Sequence, residues 1–237
     1  MSVNQKEYTW PKIVLFGDSI TQYSFKPQGG CWGALLADHL QRKCDVLNRG
    51  FSGFNSRWCK FMLPKIVTAD ITKDLAGVTL FLGANDSNND DNIRQHVPLN
   101  EFTTNMTEMI EYLQSIGIER EKIILITCPA YDNDAWVSVC LRLACYKVKY
   151  SETTRKYASS CNKIAKETGV SLVDLYNDML KHENWKEMLG DGLHLSAAGG
   201  QLLFESLKPI IDKLTSNIET KFPAWDEVDI QNPQLSL

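Results

Sequence analysis

Short runs of consecutive apolar residues alternate along the chain with longer segments in which apolar residues recur every three or four positions. The short runs cover residues 13–16, 46–47, 78–82, 123–126 and 172–175. Residues that are apolar on successive positions are typical of strands covered on both faces, as in a parallel sheet. The pattern therefore predicts five strands that pair in parallel.

The segments between these runs carry a helical pattern. Apolar stripes with the spacing i, i+3, i+4 and i+7 run from Trp32 to Leu40 and from Leu99 to Leu113. The first stripe includes His39, which we expect to be a core or boundary histidine. Further helices are predicted at 56–69, 153–168 and 197–214, the last with Ser196 as its N-cap. Helices alternating with parallel strands predict a three-layer α/β/α fold, which binds ligands beyond the carboxyl ends of its strands.

Polar residues and glycines follow the first three predicted strands. They occupy residues 18–21, 48–55 and 83–86. Because the carboxyl ends of parallel strands share one edge of a sheet, we expect these segments to surround one site. After the fourth strand, Cys128 begins a long segment that extends to about Tyr150 and contains Trp136. This segment can form a wall or a partial lid over the site.

The residues at this edge predict acyl transfer. Asp191 precedes His194 by three positions, so its carboxylate can orient one imidazole nitrogen and leave the other to deprotonate a hydroxyl. Ser19, in a strand-to-helix loop, is the candidate nucleophile. The backbone N–H groups of Ser19 and Gly53 and the side-chain amide of Asn85 are candidate donors to an oxyanion. This prediction requires a fold that returns the C-terminal part of the chain to the first strand.

Length and composition indicate one globular domain. The chain has 237 residues, of which 43% are hydrophobic and 10% aromatic, enough for one sizeable core. We expect a single domain over residues 1–214. Residues 215–237 contain two prolines and several acids, so we expect a loosely ordered C-terminal extension.

Charge and cysteine content exclude several classes of function. The net charge of -4 comes without a basic block, so nucleic acid is not an expected partner. The start of the chain is polar, and no apolar stretch reaches the ~18 residues that span a bilayer. Seven cysteines form no CxxC pair, which favours free thiols over disulfides or a zinc site. We expect a soluble, unsecreted, cytoplasmic protein without a bound metal.

Four blocks of the sequence together resemble the SGNH, or GDSL-like, hydrolases. The blocks lie at residues 17–21, 48–53, 83–86 and 191–194. Further similarity at 32–33, 49–58 and 83–98 resembles the isoamyl acetate-hydrolysing esterase branch of that family, whereas the apolar, cysteine-rich region 137–149 departs from it. The resemblance implies a flavodoxin-like sheet with strand order 2-1-3-4-5, no metal or other cofactor, and hydrolysis of small carboxylic esters by Ser19, His194 and Asp191. Related activities on the same site are an acyl-thioesterase or a lipid or carbohydrate deacetylase.

Other interpretations of these residues remain. Taken alone, Gly-Asp-Ser is also typical of a capped turn, and Asp-Gly-Leu-His is typical of a loop before a helix. Cys128, at the end of the fourth strand, is a rival nucleophile, because a Cys–His pair can also attack esters. A two-metal phosphoesterase would need more histidine ligands than the four in this chain. A protein that keeps the fold but only binds a ligand is the non-enzymatic alternative, and the sequence leaves the oligomeric state open.

Overall fold

The computed structural model describes residues 9–27, 29–89, 91–142 and 151–237. Its centre is one sheet of five parallel strands in the order β2-β1-β3-β4-β5, as predicted. The strands are β1 (Lys12–Gly17), β2 (Asp45–Gly50), β3 (Leu75–Phe81), β4 (Ile123–Ile126) and β5 (Ser171–Val173). The three central strands are buried along almost their whole length, which explains their continuous apolar runs.

Helices cover both faces of the sheet and complete the three layers. They are α1 (Ser19–Gln22), α2 (Trp32–His39), α3 (Ser56–Ile66), α4 (Leu99–Ser115), α5 (Asn133–Arg142), α6 (Ser151–Thr168), α7 (Leu175–Leu180) and α8 (Ala197–Leu214). Helices α3, α4 and α6 pack side by side as one group, and α2, α7 and α8 belong to a second group. The predicted N-cap is confirmed, because the Ser196 hydroxyl accepts the backbone N–H of Gly199 at the start of α8.

The register of the sheet brings the strand ends together. Gly17 at the end of β1 lies opposite Gly50 of β2 and Phe81 of β3, Phe81 lies opposite Ile126 of β4, and Ile126 opposite Val173 of β5. All five strands therefore stop at one edge. The segments that follow them, which hold the predicted site residues, start at the same level of the molecule.

The structure corrects several details of the predicted elements. The helix predicted at 56–69 ends at Ile66, and a 3-10 turn, Ala69–Asp74, follows it. The predicted fifth strand included Asp174, but β5 ends at Val173 and the Asp174 carboxylate accepts the backbone N–H of Asn177 to cap α7. The segment after β4 contains a helix, α5, which the sequence pattern did not predict. Residues 143–150 of that segment lie outside the described residues.

Beyond α8 the chain returns toward the end of α2. The backbone N–H of Lys221 donates to the carbonyl oxygen of Arg42, and the Arg42 guanidinium donates to the carbonyl oxygens of Lys221, Phe222 and Pro223. Short 3-10 turns follow at Trp225–Glu227 and Pro233–Leu235. Within the described ranges, every helix is too short or too polar to cross a lipid bilayer.

Candidate active site

Ser19, His194 and Asp191 form one continuous chain of hydrogen bonds. The Ser19 hydroxyl lies 2.9 Å from His194 Nε2, and His194 Nδ1 lies 2.7 Å from Asp191 Oδ2. A carboxylate only accepts, so Nδ1 carries the proton and Nε2 is left to accept from the serine hydroxyl. The structure thus joins residues that are 175 positions apart in the chain.

The start of α1 sets the position of Ser19. The carboxylate of Asp18 accepts the backbone N–H of Ile20 and caps this short helix, with Ser19 as its first residue. Gly17 allows close packing before the turn, because a Cβ there would collide with the side chain of Thr21 and the carbonyl oxygen of Phe81. The capped-turn interpretation of Gly-Asp-Ser is therefore correct, and the same turn presents Ser19 to the imidazole.

A closed loop holds His194 and Asp191. A backbone bridge joins Leu189 to Leu195, and the backbone N–H of Gly190 donates to the carbonyl oxygen of His194. Asp191 Oδ1 accepts the backbone N–H groups of Leu193 and His194 at 2.9 and 2.7 Å. Burial raises the pKa of the Asp191 carboxyl, but the hydrogen bonds from the His194 ring and these N–H groups outweigh it, so its pKa lies below the ordinary value. Asp191 is therefore ionised at neutral pH.

Two aromatic rings pack edge-on against the imidazole of His194. The ring centroid of Tyr23 lies 5.6 Å from that of His194, and the ring centroid of Trp136 in α5 lies 5.8 Å from it. Gly192, with φ +90°, allows α5 to come this close, because a Cβ there would lie 2.6 Å from the carbonyl oxygen of Asp132 and 2.6 Å from the backbone nitrogen of Trp136. The predicted wall after β4 thus includes Trp136, which contacts the candidate base directly.

The two other predicted donors lie beside Ser19. Gly53 has φ +81°, a conformation that favours glycine, and it lines a cavity together with Ser19, Asn85 and His194. The Asn85 side-chain amide donates one N–H to the carbonyl oxygen of Phe54 at 2.8 Å. An amide carries two N–H donors, so the second can serve a bound oxyanion.

Gln95 is a neighbour of this site that the sequence did not single out. Its side-chain nitrogen donates to Asn85 Oδ1 and to the Gly53 carbonyl oxygen, both at 3.0 Å. Its side-chain oxygen accepts from the amides of Asn88 and Asn92. Gln95 therefore holds in place Gly53 and Asn85, which carry two of the three candidate oxyanion donors. The one signal in the sequence was that Gln95 lies within residues 83–98, the segment that resembles the isoamyl acetate-hydrolysing esterase branch.

Asp86 connects the same region to α3. Its side chain is fully buried, and Oδ1 accepts the backbone N–H of Ser56 at the start of α3. Burial raises the pKa of Asp86 to about 6, even though hydrogen bonds from Ser56 act in the opposite direction. This carboxyl ties the loop that carries Asn85 to the loop that carries Gly53.

Two cavities meet at His194. The smaller has a volume of about 130 Å³ and is lined by Ser19, Gly53, Asn85, Gln95 and Trp136, among others. The larger has a volume of about 330 Å³, and its lining includes Tyr23, Lys26, Gly29 and Asp191. Of the described lining residues, His194 alone is common to both cavities, so the imidazole lies where the two adjoin.

The rival nucleophile Cys128 and the histidines His39 and His96 have contacts outside the Ser19–His194–Asp191 chain. Cys128 is 1% exposed, and its thiol points to the carbonyl oxygen of Thr154 in α6. His39 bonds to Asp212 of α8, which agrees with the predicted boundary position, and His96 Nδ1 bonds to the carbonyl oxygen of Asn88. Among the described residues, His, Cys, Asp and Glu side chains form no group of three that could hold a metal ion.

Comparison with known proteins extends over nearly the whole chain. The mouse and human proteins named "Isoamyl acetate-hydrolyzing esterase 1 homolog" are 45% and 44% identical to it, each covering 96% of this chain and 92% of the relative. The crystal structure of a lipase/acylhydrolase from Enterococcus faecalis superposes with a TM-score of 0.66 at 25% identity, covering 90% of this chain and all of that one. The sequence profile of the GDSL-like lipase/acylhydrolase family matches residues 15–202. The chain therefore belongs to the GDSL-like lipase/acylhydrolase family, as its motifs predicted.

Proposed function

We propose that the protein hydrolyses small carboxylic esters through an acyl-enzyme intermediate on Ser19. Its family and its esterase relatives make it a carboxylic ester hydrolase of the SGNH type. The observation that carries the proposed mechanism is the continuous chain of hydrogen bonds from the Ser19 hydroxyl through His194 to Asp191. This arrangement supplies a nucleophile, a general base and a group that orients the base.

In the first half of the reaction, Ser19 Oγ attacks the ester carbonyl carbon while His194 Nε2 takes the hydroxyl proton. Ionised Asp191 stabilises the imidazolium that forms and keeps the ring in the required orientation. The alcohol then leaves with the proton from His194. In the second half, His194 activates a water molecule that releases the acyl group as a carboxylic acid and restores Ser19.

The negative charge on the carbonyl oxygen is stabilised by three neutral donors. They are the backbone N–H groups of Ser19 and Gly53 and the side-chain amide of Asn85. Neutral donors held in place before the reaction need no reorganisation when the charge develops, which lowers the barrier. Gln95 supports this role through its bonds to Asn85 and to the Gly53 carbonyl oxygen.

Short-chain, acetate-type esters are the proposed substrates. The cavity that contains Ser19 and the oxyanion donors measures about 130 Å³, which suits a small acyl group better than a long one. The mouse and human relatives carry isoamyl acetate in their names, which also favours an acetyl group. We further propose that residues 1–214 form the catalytic domain and 215–237 an extension, and that the protein works in the cytoplasm, where seven cysteines without a CxxC pair stay reduced.

A series of nitrophenyl esters from acetate to decanoate tests this proposal. The wild type should turn over acetate and butyrate fastest, and Ser19→Ala should lose this activity while keeping its melting temperature. Ser216→Ala is the matched control, because that exposed hydroxyl donates to the carbonyl oxygen of Lys213 in α8 and lies outside the lining of both cavities beside His194 among the described residues. Full activity in Ser19→Ala would overturn the proposal, and no activity in the wild type would favour a protein that only binds its ligand.

A further inference from the structure

One polar side chain in the cavity that holds Ser19 has most of its hydrogen-bonding capacity unused. Asn88 is 7% exposed, and it lines the cavity of about 130 Å³ together with Ser19 and Asn85. Its side-chain nitrogen donates to Gln95 Oε1 at 3.3 Å, which is a long and weak bond. Among the described residues, the second side-chain N–H of Asn88 and its oxygen, Oδ1, have no partner. Asn88 therefore offers a substrate one donor and one acceptor.

The two other side-chain amides in the described lining of this cavity are already engaged. Gln95 uses its nitrogen for Asn85 Oδ1 and the Gly53 carbonyl oxygen, and its oxygen accepts from two further amides. Asn85 donates one N–H to the Phe54 carbonyl oxygen, and its other N–H is assigned to the oxyanion. Asn88 is thus the amide of this lining that can select between substrates.

The position of Asn88 indicates which part of the ester it meets. Its backbone N–H donates to the carbonyl oxygen of Asn85 at 3.1 Å, so both residues lie in one turn beside the proposed oxyanion donors. The leaving alcohol must instead reach His194 Nε2 to collect its proton. The described bond of the Asn88 side chain is to Gln95, on the side of the oxyanion donors. This placement favours the acyl chain over the alcohol as the part that contacts Asn88.

We propose that Asn88 binds a hydroxyl group on the acyl chain, so that the protein prefers esters of short hydroxy acids, with the hydroxyl on the second or third carbon, over the unsubstituted esters. This inference rests on the proposed function of Ser19. A hydroxyl both donates and accepts, so it matches the N–H and the oxygen that Asn88 offers. An unsubstituted chain that displaces water from Asn88 leaves a buried amide without partners, whereas a hydroxyl replaces the lost bonds.

Two matched pairs of esters test this preference. Ethyl lactate differs from ethyl propanoate, and ethyl 3-hydroxybutyrate from ethyl butyrate, only by the hydroxyl group. The ratio of kcat/KM within each pair is measured by titration of the released acid. The electronic effect of the hydroxyl on the ester carbonyl is the same for every variant, so it cancels when a variant's ratio is compared with that of the wild type.

Three variants separate the role of Asn88 from that of its neighbours. Asn88→Leu keeps a similar side-chain volume and should lower the ratio by about fivefold or more in at least one pair, as expected for the loss of one hydrogen bond. Asn88→Ala, which adds no apolar bulk, should lower it in the same direction. Asn92→Ala is the matched control, because Asn92 also donates to Gln95 Oε1, at 3.1 Å, but lies outside the described lining of the cavity. It should leave both ratios unchanged.

Melting temperatures show that the variants are folded, and the ratios then decide. Wild-type ratios in both Asn88 variants would overturn the inference, even if kcat/KM fell equally for every ester, because Asn88 would then act on the oxyanion or on the loop. A matching fall in Asn92→Ala would also overturn it, since the effect would pass through Gln95.

The assignment to the acyl chain has its own control. If Asn88→Leu changed the ratio of 2-hydroxyethyl acetate to ethyl acetate and spared both acyl pairs, Asn88 would contact the alcohol and the inference would be wrong. None of these results would affect the proposed function as long as Ser19→Ala remains inactive. Hydrolysis of the unsubstituted esters by Ser19→Ala would instead remove the proposed function itself.

Discussion

Among the described residues, two histidine–aspartate ion pairs stand out, and their surroundings differ. His194 and Asp191 lie at the carboxyl edge of the sheet, with a nitrogen-to-oxygen distance of 2.7 Å. His39 of α2 and Asp212 of α8 lie in a helical layer, with a corresponding distance of 2.5 Å. Both carboxyl groups have a pKa below the ordinary value, lowered for Asp212 by Lys208 and then His39, and for Asp191 by His194 and backbone N–H groups against the effect of burial.

What separates the pairs is the partner of the second imidazole nitrogen. The second nitrogen of His194, Nε2, bonds to the hydroxyl of Ser19, a residue that is only 6% exposed. The described contacts of the other pair are different. Asp212 also pairs with Lys208 of the same helix, and the His39 ring packs against Phe204. An imidazole–carboxylate pair is therefore a common stabilising contact, and it becomes catalytic only where a hydroxyl and oxyanion donors complete it.

Replacement of each histidine should give the largest contrast. His194→Ala removes the proposed base and should lower kcat for acetate esters by about 10⁴-fold or more. His39→Ala should leave kcat within about twofold of the wild type, since the described contacts of His39 are with Asp212 and Phe204 of α8 and not with the candidate site. Steady-state kinetics on a nitrophenyl acetate compares the two. Equal losses in both variants would mean that the pairs are not functionally distinct.

Replacement of the two aspartates should give the same contrast in kcat as replacement of the two histidines, with the larger loss at Asp191. Asp191→Asn places an amide NH2 group where Oδ2 accepts the hydrogen bond from His194 Nδ1–H, so the ring is expected to adopt the wrong tautomer, with a loss in kcat of roughly 10³ to 10⁴-fold. Asp212→Asn makes the matching change in the other pair and should preserve kcat. If Asp191→Asn retained more than a tenth of the activity, Asp191 would be only a structural partner.

Asn85 should rank below the triad residues. Asn85→Ala removes one of the three proposed oxyanion donors and should lower kcat by about 10²-fold to 10³-fold with little change in KM, because the proposed bond is strongest in the transition state. A rise in KM at constant kcat would assign Asn85 to ground-state binding instead. Asn88→Ala, which lines the same cavity, is the matched amide control and should have a smaller effect on kcat.

Gln95 should have a smaller effect because it acts through other groups. Gln95→Ala removes the bonds that hold Asn85 and the Gly53 carbonyl oxygen, and the loss of one net hydrogen bond corresponds to about 1 kcal/mol, or about fivefold in kcat. In a variant that already carries Asn85→Ala, the additional loss should shrink. Strictly multiplicative losses in the double variant would show that Gln95 does not act through Asn85.

The smallest expected effect is the change in stability when the His39–Asp212 pair is broken. Asp212 is 43% exposed, so the loss of its bonds in Asp212→Asn should lower the free energy of unfolding by no more than about 1 kcal/mol. Urea denaturation at low and high salt measures this change. A loss of several kcal/mol would indicate that the pair anchors α2 to α8 more strongly than an exposed ion pair can.

The central architecture could be predicted because burial on both faces leaves a clear record in the sequence. Strands β1, β3 and β4 are covered by helices, and their apolar runs marked them directly. The edge strand β2 was only partly recognised, since Asp45 and Arg49 face solvent and only its middle is apolar. Helix α5 was missed because Cys140 is its only buried residue in the described part and Leu141 is 66% exposed.

The candidate site likewise contains some residues that the sequence could predict and others that it could not. Ser19, Asp191 and His194 could be identified from short motifs, because local geometry requires their neighbours: a cap at Asp18 and a glycine at Gly192. Tyr23 and Gln95 carry no local signal. Tyr23 contacts Ser52 and His194, which are 29 and 171 positions away, and Gln95 contacts Asn85 and Gly53, which are 10 and 42 positions away. Such roles depend on the completed fold, which a single sequence does not display.

The most direct test is the site at which a fluorophosphonate attaches, found by mass spectrometry of peptides from the labelled protein. This reagent reacts with a serine that has been activated as a nucleophile. The proposed mechanism predicts one adduct on Ser19 in the wild type and in His39→Ala, and almost none in His194→Ala. An adduct on Cys128 or on a different serine, or equal labelling of Ser19 in both histidine variants, would contradict the catalytic role of the Ser19–His194–Asp191 chain.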